Sequence, residues 1–319
     1  MIVSFGVLAK SADWLVDGAV DLARRLHVPA ILIGIVLVSL GTTAPELAVS
    51  MNAALRGEPE LALGNAVGSV IYDDGIALPL AVLFAPAAIV IDSTVLRSAA
   101  IFLIVVDLVA YALCLDGVLG RGEGLVLVAG FLAYLVYSYF EQKRKRARGD
   151  EPVPEEGQTR RWGAIVALFL GGLAGVLLSA EWIVVSAPII GNALGVHPVI
   201  IGLTVVAFGT SVPEIATCII AARKGQGALA AGNILGADIL NICWIAGASA
   251  VANPLAVKPD IINFMFPCML VIVVTMLGLM RMGHQLQRWK GVVLLVLCVA
   301  YLTALVIVNP GALEVPHVE

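Results

Sequence analysis

The chain has 319 residues, of which 60% are hydrophobic and 13% charged, and its mean hydropathy is +1.00. Soluble domains carry about 25% charged residues, so this composition excludes a water-solvated globule and points to a chain solvated mostly by lipid. The formal net charge of −4 argues against nucleic acid as a partner.

Apolar segments long enough to cross a hydrocarbon core of about 30 Å lie near 2–26, 28–55, 61–84, 94–115, 122–141, 162–194, 197–222, 228–252, 260–280 and 287–308. An all-α polytopic membrane protein of about ten helices is expected, five in each half. The first segment is the least fully matched: its counterpart opens with apolar sequence from Trp162, whereas here the chain simply starts. Lys10, Asp13 and Asp17 interrupt the first segment too early for a cleavable signal peptide.

Polar islands punctuate this pattern twice. The first begins GTTAPEL at Gly41, passes Ala53, Ala54 and Gly57, and closes with GNAVGSVIYDD, ending at Asp74. The second begins GTSVPEI at Gly209, passes Ala221, Ala222 and Gly225, and closes with GNILGADILN, ending at Asn241. Gly41 and Gly209, Glu46 and Glu214, Gly64 and Gly232, and Gly68 and Gly236 are all 168 positions apart, so no gap is needed and the halves are an internal duplication. The predicted units are a first repeat over 1–142, a linker over 143–161 and a second repeat over 162–319.

The water-soluble stretch between them, EQKRKRARGDEPVPEEGQTRR from Glu141, is too short to fold alone and reads as a solvated linker. Its seven basic residues mark the cytoplasmic side. Alternation then places Arg24, Arg25, Arg97, Arg223, Lys224, Arg281, Arg288 and Lys290 inside as well, leaving Arg56, Arg121 and Lys258 outside. Both termini are therefore expected outside, in the cell (inner) membrane. Five helices per repeat insert the second copy upside down relative to the first, the inverted-repeat architecture of many secondary transporters, whose site lies at the midplane between the halves.

Each island opens on a helix break. Pro45 and Pro213 remove a backbone donor and displace the carbonyls of Gly41 and Gly209 from their usual partner, which exposes hard oxygen ligands at membrane depth. Glu46 and Glu214 follow directly. Thr43-Ala44-Pro45-Glu46 and Ser211-Val212-Pro213-Glu214 also match the capping box, in which the glutamate merely finishes a helix start. A neutral glutamine would cap as well, whereas a carboxylate in hydrocarbon is costly, so ion binding is the preferred reading.

The closing segments are helical. Asn65, Ser69 and Asp73 form a stripe at spacing four, matched by Asn233, Ala237 and Asn241. Gly64, Gly68, Gly232 and Gly236 permit close helix approach. The asparagines alone could be interhelical glue, but Asp73 brings a charge that glue does not require. Asp74 and Asp238 add acids one position off the stripe, either as interface acids or with a direct role.

These paired signatures resemble the two alpha repeats of the cation/calcium exchanger superfamily, on its sodium/calcium exchanger branch, over essentially the whole chain. The resemblance implies that Glu46 and Glu214 are the principal calcium ligands, assisted by the carbonyls of Thr42 and Thr210. It implies that sodium shares these carboxylates and uses Ser39, Thr43, Ser69, Ala207 and Ser211. Asp73 and Asn241 occupy the remaining central pair. Two departures stand out: where the family spells GNxxGSN, this chain has Ser69-Val70 and Ala237-Asp238, losing an amide and a hydroxyl. Calcium takes six to eight oxygens; carboxylates shared with sodium make the exchange obligatory. The resemblance also implies that the first and sixth helices are the movers.

The expected function is thus secondary antiport of calcium for sodium, with calcium and sodium ions and the lipid bilayer as partners and no cofactor. The alternative within transport is proton-coupled or potassium-assisted exchange. An intramembrane hydrolase is disfavoured, because none of His27, His197, His284 and His317 lies in an island and HExxH is absent. The five cysteines show no metal-ligand spacing and read as small core residues.

Overall fold

The computed structural model describes residues 2–148, 160–193 and 209–308. Eleven helical stretches follow one another among these residues: α1 (Ile2–Leu26), α2 (Ala30–Thr42), α3 (Ala44–Leu55), α4 (Pro59–Phe84), α5 (Ser93–Cys114), α6 (Arg121–Arg148), α7 (Trp162–Ala193), α8 (Val212–Arg223), α9 (Gly227–Ala252), α10 (Ile261–Arg281) and α11 (Arg288–Val308). Seven are long and apolar enough to cross a membrane, or eight if the bent pair α2 and α3 counts as one span. The chain is an all-α polytopic membrane protein. The predicted segment 28–55 is not one straight helix: it bends by 48° where α2 gives way to α3. Of the predicted segment 197–222, the part before Gly209 lies outside the described residues.

Burial sorts the helices into a core and a periphery. The apolar stretches of α4 and α9 are 78% and 83% buried, whereas those of α6, α7 and α11 are only 22–28% buried. Val105, Leu132, Leu170, Leu178, Val271 and Val296 are exposed on the outer helices, an apolar surface suited to lipid. The polar residues go the other way, into the protein, because only there can their hydrogen-bonding groups be satisfied.

Small residues set the closest approaches. A Cβ on Gly34 of α2 would lie 2.6 Å from the Leu229 carbonyl oxygen, and one on Gly232 or Gly236 of α9 would strike the carbonyls of Ile31 and Ile35. The α2 and α9 backbones therefore touch, as expected for the second pair of glycines; for Gly64 and Gly68, a Cβ meets nothing within 4 Å among the described residues. The same device joins α1 to α7, which run antiparallel: Gly18 faces the Phe169 backbone, Gly172 the Leu15 backbone, and Gly175 the Ser11 hydroxyl.

Polar contacts fasten α1 at its surface. Arg160, just before α7, bonds Asp21 at 2.7 Å and Asp17 at 3.3 Å, while Lys224, at the end of α8, pairs with Asp13 at 2.5 Å and with Asp17. Two short antiparallel ladders clasp the loops: Ile89–Val90 (β1) pairs with Gln285–Leu286 (β4), and Val118–Leu119 (β2) with Leu255–Ala256 (β3). His27 and His284 occupy left-handed positions next to helix ends, with φ of 55° and 51°, in keeping with their reading as loop residues; His197 and His317 lie outside the described residues. Lys290 is buried, and its ammonium caps the end of α10 by donating to the carbonyls of Leu279, Met282 and Gln285 at 2.5–2.7 Å.

Candidate cation-binding site

The two helix breaks bring the carboxylates inside. Pro45 and Pro213 sit in the first turns of α3 and α8, where a missing N–H costs nothing, and Glu46 and Glu214 follow on the same turns. Both glutamates are buried, at 1% and 0% exposure, and lie within charge–charge range of each other and of Asp73. The capping-box alternative is not realised. Neither Thr43 nor Ser211 makes a side-chain cap; the Thr43 hydroxyl instead donates to the Ser39 carbonyl at 2.9 Å, and the Ser211 hydroxyl has no partner.

A hydrogen-bond pattern repeats at positions 168 apart. Thr42 Oγ1 donates to Asn233 Oδ1 at 3.3 Å, and Thr210 Oγ1 donates to Asn65 Oδ1 at 3.5 Å, so each break is tied to the other half's closing helix. Asn65 Nδ2 donates to the Ser50 hydroxyl at 2.9 Å and to the Glu46 carbonyl at 3.2 Å; Asn233 Nδ2 makes the matching contact to the Cys218 sulfur at 3.5 Å. Ser50 and Cys218 in turn donate to the carbonyls of Ala62 and Ala230 at 3.0 and 3.5 Å. The two asparagines are thus interhelical ties, and Cys218 is a polar link rather than a plain core residue. Asn241 Nδ2 reaches Asp73 Oδ2 at 3.4 Å, a pair separated by 168 positions that faces itself.

Two wide helical turns aim this last pair, and the sequence did not announce them. Asp73 opens a π turn over Asp73–Ala77 in α4, and Asn241 lies in another over Leu240–Ala246 in α9. Such turns widen the helix locally and recur at functional positions.

Every described candidate is buried: Ser39, Thr42, Thr43, Glu46, Ser69, Asp73, Thr210, Ser211, Glu214 and Asn241. Ala207 lies outside the described residues. Glu46 Oε2, both Glu214 carboxylate oxygens, Asp73 Oδ1, Asn241 Oδ1 and the hydroxyls of Ser69 and Ser211 have no hydrogen-bond partner. Buried polar groups are nearly always paired, so these orphaned oxygens mark a place for something else. The set is all oxygen, the chemistry of hard cations. Among the described residues no three acidic, histidine or cysteine side chains converge to hold a metal, so main-chain and hydroxyl oxygens would have to complete any shell.

One buried acid escaped the sequence reading. Asp107, at 0% exposure on α5, has both carboxylate oxygens unpartnered and feels the charges of Asp74 and Asp238. Its signal was available: it is the lone acid of an otherwise apolar span, and an ionisable residue inside a membrane is functional by default.

With this geometry in view, the profile of the family described as "Sodium/calcium exchanger protein" matches residues 1–140 and 164–307. The chain belongs to the sodium/calcium exchanger family. Among similar members, the putative antiporter CaxA of Alkalimonas amylolytica is 33% identical over 94% of this chain and 96% of its own length. The sodium/calcium exchanger MaX1 of Methanosarcina acetivorans is 30% identical over 96% of this chain and 97% of its own. The solved structure of the sodium-calcium exchanger NCX_Mj superposes with a TM-score of 0.82 at 26% identity, covering 95% of this chain and 96% of that one. As a family member the chain is a cation/calcium exchange antiporter, and the resemblance drawn from its two islands is borne out.

Proposed function

We propose that this exchanger moves calcium against sodium by alternating access at one midplane site. The observation that carries the reading is the pair Glu46 and Glu214, buried on two broken helices with carboxylate oxygens left unpartnered and the breaks tied crosswise by Thr42 and Thr210. Calcium takes oxygens from both glutamates and from the carbonyls of Thr42 and Thr210. Sodium takes the same carboxylates with Ser39, Thr43, Ser69, Ala207 and Ser211, and Asp73 and Asn241 complete the centre. Sharing is what couples the two fluxes, because a full sodium set and a calcium ion cannot occupy the same carboxylates at once.

The reading includes ten helices in two inverted repeats, 1–142 and 162–319, joined by a cytoplasmic linker over 143–161 with both termini outside. The hydrogen bonds repeated 168 positions apart, and the Asn241 to Asp73 pair on itself, support a two-fold relation between the halves. Helices α1 and α7 are the moving pair: they meet through small residues and α7 is largely exposed, while the buried α4 and α9 fix the site.

The deciding experiment is calcium-45 uptake into proteoliposomes under separately imposed sodium, potassium and proton gradients. A sodium gradient alone is expected to drive uptake. Uptake driven only by protons or only with potassium replaces the sodium assignment with one of those alternatives, of which the proton has an observation in its favour: Asp74 and Asp238 are both buried and their carboxyl groups lie within hydrogen-bonding reach of each other, an arrangement that a shared proton suits. Orientation is tested by single cysteines at Gln158 and Gly311 in a cysteine-free background, which should label from opposite sides of the membrane; labelling from one side would sink the inverted arrangement.

A further inference from the structure

Two kinds of contact hold α1. Toward α7 it is backbone on backbone, with Gly18 against Phe169, Gly172 against Leu15 and Gly175 against Ser11, which joins the two helices into one body. Arg160, just ahead of α7, strengthens that body by bonding Asp17 and Asp21. Toward the end of α8 the link is made by charge: Lys224 holds Asp13 at 2.5 Å and also Asp17. A cavity of about 540 Å³ lies beside these pairs, lined by Gly6, Ala9, Lys10, Asp13, Ile220 and Lys224, so that α1 and the end of α8 face each other there across open space. Helix α8 itself packs on the buried α4 and α9. Lys224 is therefore the charge that the fixed part of the molecule presents to the moving part.

Asp13, Asp17 and Asp21 stand four residues apart, one above another on a single face of α1, at intervals of about 6 Å along the helix axis. Basic residues bound the series three positions beyond each end: Lys10 on one side, Arg24 on the other. The repeated unit does not require these acids, because the positions 168 further on, in α7, hold Glu181, Val185 and Ile189, the last two an exposed apolar surface. Lys224 now spans two neighbouring acids. Moved by one acid along the series, it would span Asp17 and Asp21 in the same geometry, with Arg160 still on Asp21 because it travels with α1. A further step in either direction sets Lys224 beside Lys10 or Arg24, where like charges repel.

We propose that the three acids of α1 give Lys224 two alternative seats one helical step apart, and that these seats set both the stroke of α1, about 6 Å, and the balance between its two positions. The proposal rests on the reading of α1 and α7 as the moving pair and names what limits that movement. Asp17 belongs to both seats, Asp13 to the present one and Asp21 to the other. The bond from Arg160 to Asp21 lies within the moving body, so it is the same in both positions and cancels. Loss of Asp13 therefore favours the seat on Asp17 and Asp21, which carries α1 toward its own N-terminus. Loss of Asp21 holds the present seat.

The movement is read in the full chain in proteoliposomes, in a cysteine-free background, from spin labels on Phe5→Cys and Val90→Cys. Phe5 lies near the start of α1, and Val90 lines one cavity with Ala23 and His27 at its other end; both are exposed. Two separations differing by about 6 Å are expected. Asp13→Asn should raise the ratio of the longer to the shorter by about two- to fivefold, the range for partly exposed ion pairs, and Asp21→Asn should lower it as much. Asp17→Asn should move it least. In a Lys224→Gln background neither Asp13→Asn nor Asp21→Asn should shift the ratio, a result that a general loosening of α1 would not give. Calcium–calcium exchange gives the second readout: apparent calcium affinities at the two membrane faces should change in opposite senses in Asp13→Asn and Asp21→Asn. One unmoved separation in every variant, or shifts of the same sign from both acids, overturns the proposal. Shifted separations in a protein that exchanges no calcium would instead keep the two seats and defeat the exchanger reading. Should either acid variant fail to fold, Lys224→Gln decides alone: it should replace the two separations by a broad spread, and an unchanged distribution counts against the seats.

Discussion

The two halves of the candidate cation site build one unit twice, and they differ in how firmly they build it. In the first half Asn65 is held by an oxygen at 2.9 Å and a carbonyl at 3.2 Å; in the second, Asn233 rests on a sulfur at 3.5 Å. Ser69 of the first half is Ala237 in the second, and the acid Asp73 faces the amide Asn241. What stays equal is the glutamate pair and the crosswise threonine ties, the parts that work only if both halves supply them. The halves differ only where one half can act alone.

The largest effect should follow from breaking what is equal. Glu46→Gln and Glu214→Gln keep size and remove charge, and ligand charge sets calcium affinity, so each should cut calcium-45 exchange at least about a hundredfold. Membrane insertion and folding, checked by size-exclusion profile, should persist. Near-normal flux in either variant would make the site one-sided.

Next comes the helix contact that frames the second half. Gly236→Ala drives a methyl into the Ile35 carbonyl and the Ser39 hydroxyl, and overpacking of this kind costs about 1–3 kcal/mol. A thermal unfolding midpoint in detergent unchanged by the substitution would mean that α2 and α9 are not in backbone contact.

The asparagine ties test the inequality directly. Asn65→Ala strands more polar groups than Asn233→Ala, and an unsatisfied buried partner costs about 1–3 kcal/mol, so Asn65→Ala should lower the unfolding midpoint more. Equal losses would erase the difference drawn between the halves.

The smallest change expected is a gain. Cys218→Ser gives the second half the hydroxyl that Ser50 supplies in the first, where it makes bonds of 2.9 and 3.0 Å. A stabilisation of up to about 1 kcal/mol is expected, the worth of an ordinary hydrogen bond. A clear loss of stability would show that the cysteine is matched to its wider space.

Membrane class, the duplication at 168 positions, the two helix breaks and both glutamates were legible in the sequence. Each depends on local chemistry: hydropathy decides the solvent, proline and glycine decide where a helix breaks, and a carboxylate in hydrocarbon declares itself by its cost. Relations across the chain were not legible. That Thr42 meets Asn233, that Asp73 meets Asn241, and that wide turns at Asp73 and Asn241 aim them inward are products of packing between helices far apart in sequence. Cys218 read as inert because a thiol's partner is set by the neighbouring helix, and Asp107 went unread because it belongs to no island. The chain's residues determined which groups it could ill afford to bury; only the tertiary structure decided which of them were left unpaired together, because a buried charge is defined by what surrounds it.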